Sequence, residues 1–151
     1  MEKKTYIFGT IFTLSNKLQL LGDKIDAKLT VKQWLFLAGV LRCDNDTPTL
    51  SEIAACIGSS RQNVKKLALI LEKQGFVLME KDVRDARALR IRLTDACKAH
   101  LKQREQAESR FIEELFYNYG AKELSLLSEG LKKLENNAKE MGLKYDDEKE
   151  S

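Results

Sequence analysis

The chain has 151 residues, of which 43% are hydrophobic and 32% are charged, and its formal net charge is +3. Because apolar residues are this abundant, the composition excludes a largely disordered chain, and the length is typical of one domain. No apolar run approaches the roughly 20 residues that a membrane-spanning helix needs, so we expect no membrane partner and a cytoplasmic location.

Apolar residues near the start of the chain recur at the four-three spacing of a helix that packs against another helix. They are Ile7, Ile11, Leu14, Leu18, Leu21 and Ile25. Residues 5–14 are apolar after a basic start, but Asn16 and Lys17 interrupt the run, so we expect no signal peptide. Farther on, Thr30 and Gln33 have the spacing of a capping box, which predicts a helix over residues 30–42.

Two further helices are predicted with almost no gap between them. Thr49 and Glu52 form a second capping box, and Gly58 can end that helix in the left-handed conformation. Ser59 and Gln62 repeat the capping pattern, so the next helix opens at once and ends near Gly75. Helices joined so closely cross steeply, as in a helix-turn-helix.

The second of these helices carries polar residues on the face opposite its apolar side. Residues at the start of such a helix contact base edges and phosphates in the major groove of DNA. The ordinary alternative is a solvated helix face, which is our interpretation of Lys73. For the first turns we predict DNA contacts by Ser59, Ser60, Arg61, Gln62, Asn63, Lys65 and Lys66.

A β-hairpin is predicted next. Residues 76–81 are β-prone, and the segment 89–93 alternates apolar and basic residues in the period of a half-buried strand. Arg84 and Arg87, in the connecting loop, could enter a narrow minor groove, and Asp85 could hold a neighbouring arginine by a charge-assisted bond. The alternative is an exposed loop with incidental salt bridges. We count Arg84, Asp85, Arg87 and Arg90 among the predicted DNA-binding residues.

Charge is distributed unevenly along the chain. Residues 58–98 contain 10 Lys/Arg and 5 Asp/Glu, a net charge of +5, whereas residues 99–151 contain 9 and 12, a net charge of −3. A polyanion would therefore be attracted to the middle of the chain and repelled by its end.

The last third of the sequence predicts a long helix that begins near Thr94 and is polar between residues 103 and 110. A second apolar stripe follows it. That stripe consists of Leu124, Leu127, Leu131, Leu134, Ala138 and Met141. The alternative is that the terminal helices pack against each other within one subunit. Because the compact middle region offers little core against which two long apolar stripes could pack, we predict a homodimer. The predicted interface residues are Ile7, Ile11, Leu14, Leu18, Leu124, Leu127, Leu131 and Leu134. The charged tail, residues 144–151, is predicted to be mobile.

Catalytic motifs are missing from the sequence, and we predict neither an enzyme nor a cofactor. His100 follows Cys97 by three residues, which could be half of a zinc site but not a complete one. Three cysteines without a Cys-x-x-Cys pair do not form a disulfide framework, so we expect reduced thiols, with thiol sensing as a minor hypothesis.

The segment from Thr49 to Leu101 resembles the winged helix-turn-helix of the MarR-type bacterial transcription regulators. The resemblance rests on Leu50-Ser51-Glu52-Ile53-Ala54, Leu71-Glu72-Lys73-Gln74-Gly75-Phe76-Val77, Asp85-Ala86-Arg87 and Leu93-Thr94, and with the flanking helices it covers residues 5–141. Cys97 departs from the pattern, since the family often has glycine there. The resemblance implies dimerisation through the first and last helices and a small, often aromatic or anionic, effector.

Together these observations predict a single domain over residues 1–151, mainly α with a small β-hairpin wing. Residues 30–94 form the winged helix-turn-helix, and residues 5–28 and 95–141 form dimerisation helices. The predicted function is a ligand-responsive transcription regulator, a repressor rather than an activator, that binds double-stranded DNA as a homodimer on a pseudo-palindromic operator. The alternative is a winged-helix module that binds another protein and not DNA.

Overall fold

The computed structural model describes residues 2–150, which form six α-helices and one two-stranded antiparallel sheet. The elements are α1 (Lys3–Gly22), α2 (Val31–Arg42), α3 (Leu50–Ile57), α4 (Arg61–Lys73), β1 (Val77–Lys81), β2 (Leu89–Leu93), α5 (Asp95–Leu115) and α6 (Ala121–Glu150). This confirms the mainly α fold with a hairpin wing. The chain divides into two compact units, one up to Phe111 and one from Ile112. The prediction of a single domain stays a prediction.

Two capping boxes form as the sequence predicts. The Thr30 hydroxyl accepts from the Gln33 amide at 3.2 Å, and Gln33 Oε1 accepts from the Thr30 amide at 3.0 Å. Thr49 and Glu52 make the same reciprocal pair at the start of α3, at 3.2 and 2.9 Å. Each cap satisfies amide groups that a helix start leaves without a partner, and is worth about 1 kcal/mol.

The cap of α4 differs from the prediction. Ser60 is the N-cap, and its Oγ accepts from the Asn63 amide at 3.2 Å. Gly58 ends α3 in the left-handed region at φ 69°, and the amide of Ser59 then donates to the Ala54 carbonyl at 3.0 Å. Because Ser59 belongs to the C-terminal cap of α3, the predicted Ser59–Gln62 capping box is wrong.

The hydrophobic core lies where α2, α3, α4, the hairpin and the start of α5 meet. Its fully buried side chains include Phe36, Ile53, Leu71, Ile91 and Cys97. Gly39 allows α2 and α3 to approach closely, since a Cβ there would lie 2.6 Å from Cγ2 of Ile57. The packing therefore fixes α3 and α4, the helix-turn-helix, against α2.

The hairpin is bonded to the helix-turn-helix at its base. Val77 pairs with Leu93 and Lys81 with Leu89, and the Ile91 amide donates to the Pro48 carbonyl at 2.9 Å. Thr49 and Arg90 also form an isolated antiparallel bridge. The segment before α3 thus extends the sheet and holds β2 in place.

The first and last helices bury little. In α1 only Gly22 is buried, and in α6 no residue is. The helix α6 continues through Lys144 to Glu150, so this part of the predicted tail is helical. The mobility of the tail stays a prediction, and residue 151 lies outside the described residues. No helix between residues 2 and 150 combines the length and hydropathy needed to cross a membrane.

Candidate nucleic-acid interface

The outer face of α4 presents the polar residues predicted to contact DNA. Val64, Ala68 and Leu71 are buried on one side, and the rest of the first turns exposes Arg61, Gln62, Asn63, Lys65 and Lys66, with Arg61 at the edge of the buried side. Ser60 is exposed at the cap and Ser59 is half-buried in the turn. The helix therefore offers donors on one continuous surface while its other side is fixed by the core.

The wing tip, which we define as residues 82–88, is a closed turn with two exposed arginines. The Asp82 amide donates to the Ala88 carbonyl at 2.9 Å, and the Ala88 amide donates to the Asp85 carbonyl at 3.0 Å. Arg84 and Arg87 are both exposed. Asp85 Oδ1 accepts from the Arg87 backbone amide at 3.0 Å. The predicted bond from Asp85 to an arginine side chain is therefore wrong, because its short side chain closes an Asx turn in its own loop.

Asp82, which the sequence analysis did not single out, is the carboxylate that holds an arginine. Arg90 Nε donates to Asp82 Oδ1 at 2.9 Å, and Arg90 Nη1 donates to the Thr47 carbonyl at 2.8 Å. The bond from Arg90 lowers the pKa of Asp82, and the same bond raises the pKa of Arg90. Arg90 thus fastens the wing base to the loop before α3, and its predicted contact with DNA stays a prediction.

One hydrogen bond joins α4 to the wing tip. Arg61 Nη2 donates to the backbone carbonyl of Arg87 at 3.0 Å. An open pocket of about 240 Å³ is formed by the start of α3, the start of α4 and the wing, and it is lined by Thr49, Leu50, Ser51, Arg61, Asp85, Arg87, Ala88 and Leu89. The structure therefore brings the α4 residues and the wing arginines together in one region of the first unit.

The predicted interface residues on α1 and α6 are exposed in the single chain, except Leu18, which is half-buried. The others are Ile7, Ile11, Leu14, Leu124, Leu127, Leu131 and Leu134. Each helix is a regular α-helix over this stretch, so each stripe forms a continuous apolar row on its own helix.

A buried polar cluster of the first unit was not predicted. Asp26 Oδ2 accepts from His100 Nε2 at 2.7 Å and from Arg104 Nη1 at 3.2 Å. Burial alone would raise the pKa of Asp26, but the Lys28 amide, His100 and Arg104 together lower it. His100 thus faces Asp26, and between residues 2 and 150 no three metal-binding side chains cluster. Burial raises the pKa of Cys97 to about 11, so very little of this thiol is in the reactive thiolate form at neutral pH.

These features define a winged helix-turn-helix followed by two long helices, and the chain has the fold of MarR-family transcriptional regulators, as the sequence resemblance predicted. No protein-family model matches the sequence, and no curated protein matches it. The relationship is therefore visible in the fold and in a few motifs, and not in overall sequence similarity.

Several solved structures share this fold over nearly their whole length. A MarR protein from Peptoclostridium difficile is 25% identical with a TM-score of 0.79, over 89% of this chain and 88% of that one. The MepR–DNA complex of S. aureus is 18% identical with a TM-score of 0.75, over 91% and 99%. The PcaV transcriptional regulator of Streptomyces coelicolor, in complex with its natural ligand, is 16% identical with a TM-score of 0.77, over 91% and 97%.

Proposed function

We propose that this protein is a transcription regulator that binds double-stranded DNA. The observation that carries the proposal is the joint placement of the exposed polar face of α4 and the wing-tip arginines, connected by the Arg61–Arg87 bond. In this arrangement α4 occupies a major groove, and Arg84 and Arg87 extend into the flanking minor groove. The DNA-bound MepR structure, which has the same fold, supports the assignment.

The acting form is a homodimer. Exposed apolar rows on α1 and α6 are unfavourable in water, and a second copy of the chain can cover them by a self-complementary contact. Dimers of this kind bind half-sites about 34 Å apart, one turn of DNA. A pseudo-palindromic operator follows from this symmetry.

Regulation by a small effector is part of the same proposal. PcaV, of the same fold, is seen with its natural ligand. An aromatic or anionic molecule would bind the dimer more tightly at one spacing of its two α4 helices than at another. Its binding would then shift the equilibrium between dimers that can bind DNA and dimers that cannot. The protein acts in the cytoplasm as a repressor, and its release from the operator by the effector allows transcription.

The test is selection of bound fragments from the source genome by the purified protein, followed by titration of the recovered duplex. Six to ten phosphate contacts predict a loss of affinity of about 10³ to 10⁵ between 50 and 200 mM salt. Sedimentation should show a dimer at the same concentrations. No enrichment of fragments, or an interaction that hardly responds to salt, would contradict DNA binding and favour a protein-binding module.

A further inference from the structure

Arg87 has a fixed backbone and an unengaged side chain. Its amide donates to Asp85 Oδ1 at 3.0 Å, and its carbonyl accepts from Arg61 Nη2 at 3.0 Å. Within residues 2–150, no hydrogen bond or ion pair is made by its guanidinium. Both peptide planes that flank the Cα are thus restrained while the charged group remains available for a ligand.

The wing tip has little other support from the helix-turn-helix. Its base is held by Arg90 and by the Ile91–Pro48 bond, whereas Asp85, Arg87 and Ala88 of the tip line the open 240 Å³ pocket that they share with the start of α3. In the described part of the chain, the Arg61–Arg87 bond is the hydrogen bond that joins α4 to residues 82–88. The position of the tip relative to α4 therefore depends on Arg61.

We propose that Arg61 is a positioning residue: it fixes Arg87 in the place from which the Arg87 guanidinium contacts DNA. The inference rests on the proposed function and assigns Arg61 an indirect role through Arg87, in place of the direct DNA contact predicted from the sequence. A guanidinium suits this role because one N–H can hold the Arg87 carbonyl while the others stay exposed. Arg61 thereby removes conformational freedom from the tip before DNA arrives, which lowers the ordering cost of binding.

The first arm of the test needs no DNA. Backbone order parameters are measured for residues 83–88 in the unsubstituted protein and in Arg61→Ala, with Lys65→Ala, on the same exposed face of α4, as the matched control. We expect the order parameters of these residues to fall from about 0.85 toward 0.6 or below in Arg61→Ala only. Arg87→Ala keeps its carbonyl and should leave the order of the tip unchanged. Unchanged order in Arg61→Ala would overturn the inference.

The second arm is a double-substitution cycle on the duplex recovered from the genome selection. Arg61→Ala and Arg87→Ala should each weaken binding by about tenfold or more. If Arg61 acts through Arg87, adding Arg61→Ala to Arg87→Ala should change affinity by less than about threefold. Lys65 and Arg87 are expected to contact DNA independently, so the fold losses of affinity in Lys65→Ala and Arg87→Ala should multiply in the double variant. Multiplied effects for Arg61 and Arg87 would overturn the inference.

The outcomes separate this inference from the proposed function. If the unsubstituted protein binds no duplex, the proposed function fails and the DNA contact of Arg87 fails with it. If DNA binds but Arg61 and Arg87 act independently, only the positioning role fails. Since Arg61 is exposed, the variants are expected to fold, and a thermal melt of each confirms it.

Discussion

His100 Nε2 lies 2.7 Å from Asp26 Oδ2, so a side chain of α5 is bonded to the loop between α1 and α2. Arg104, one turn farther along α5, donates to the same oxygen at 3.2 Å. The ring of Phe76 stacks on His100 with centroids 5.3 Å apart. This buried cluster connects three separate segments of the first unit and anchors the start of α5 beside the winged helix-turn-helix.

Replacing Asp26 with asparagine should destabilise the protein and change its response to acid. The side chain is only 8% exposed, and its loss leaves Arg104 without its closest carboxylate oxygen, a cost of about 1–3 kcal/mol at pH 7. Because the folded-state pKa of Asp26 is lowered from 3.8, its contribution is present above that pH and is lost as the pH falls below it. Denaturant titrations of both proteins from pH 7 to pH 2.5 measure the difference, and a difference that stays constant would contradict this account.

Removal of the wing arginine should weaken DNA binding without unfolding. Arg87→Ala is expected to cost about 1–3 kcal/mol of binding free energy on the recovered operator. Lys102→Ala removes one exposed positive charge from α5 and serves as the charge-matched control. Anisotropy titrations at two salt concentrations measure both. Equal losses in the two variants would show that only overall charge matters.

A charge placed in the apolar row of α6 should dissociate the proposed dimer. Leu131 lies in that row, whereas Leu126, on the same helix and 62% exposed, lies about 110° around the axis from the centre of the row. Leu131→Glu is expected to sediment as a monomer at concentrations where Leu126→Glu remains dimeric. Dimers in both variants would place the interface elsewhere.

Two glycine substitutions should act in opposite directions. Gly58 ends α3 at φ 69°, where a Cβ is strained, so Gly58→Ala should lower the free energy of unfolding by about 1 kcal/mol. Gly9 lies inside α1, and a Cβ added there would have no neighbouring atom within 4 Å, so Gly9→Ala should raise stability by up to about 1 kcal/mol through helix propensity. Urea unfolding of both variants measures the signs, and a stabilised Gly58→Ala would be incompatible with the turn.

Cys56 and Cys97 should differ in reactivity. Cys97 is fully buried and has a pKa of about 11, so it has very little thiolate at neutral pH, whereas Cys56 is exposed. Alkylation by N-ethylmaleimide, followed by mass spectrometry, should modify Cys56 in the native protein and Cys97 only after unfolding. Rapid labelling of native Cys97 would mean that α5 opens locally at its start.

The helices and the wing were predictable because their signals are local. Capping residues, apolar periodicity and the alternating strand each depend on residues a few positions apart, and Thr30, Thr49 and Gly58 behave as predicted. The cap of α4 was misassigned because two adjacent serines offer the same chemistry, and only the fold shows that the Ser59 amide completes the end of α3.

The contacts that position the site could not be predicted in this way. Arg61 and Arg87 are 26 residues apart, and Asp26 and His100 are 74 apart. Such pairs depend on how helices cross and on where a hairpin folds back, which residue spacing along the chain does not encode. For the same reason the sequence favoured Asp85 as the partner of an arginine, whereas Asp82 is the carboxylate that lies within hydrogen-bond distance of Arg90.

The 30 residues of α6 form a rod about 45 Å long that buries no side chain within its own subunit. In the proposed homodimer this helix gains its buried surface from the second copy, so the folded population should increase with the amount of protein present. Under that proposal the cell sets the onset of regulation by how many copies it makes, because too few copies leave the helix without a counterpart.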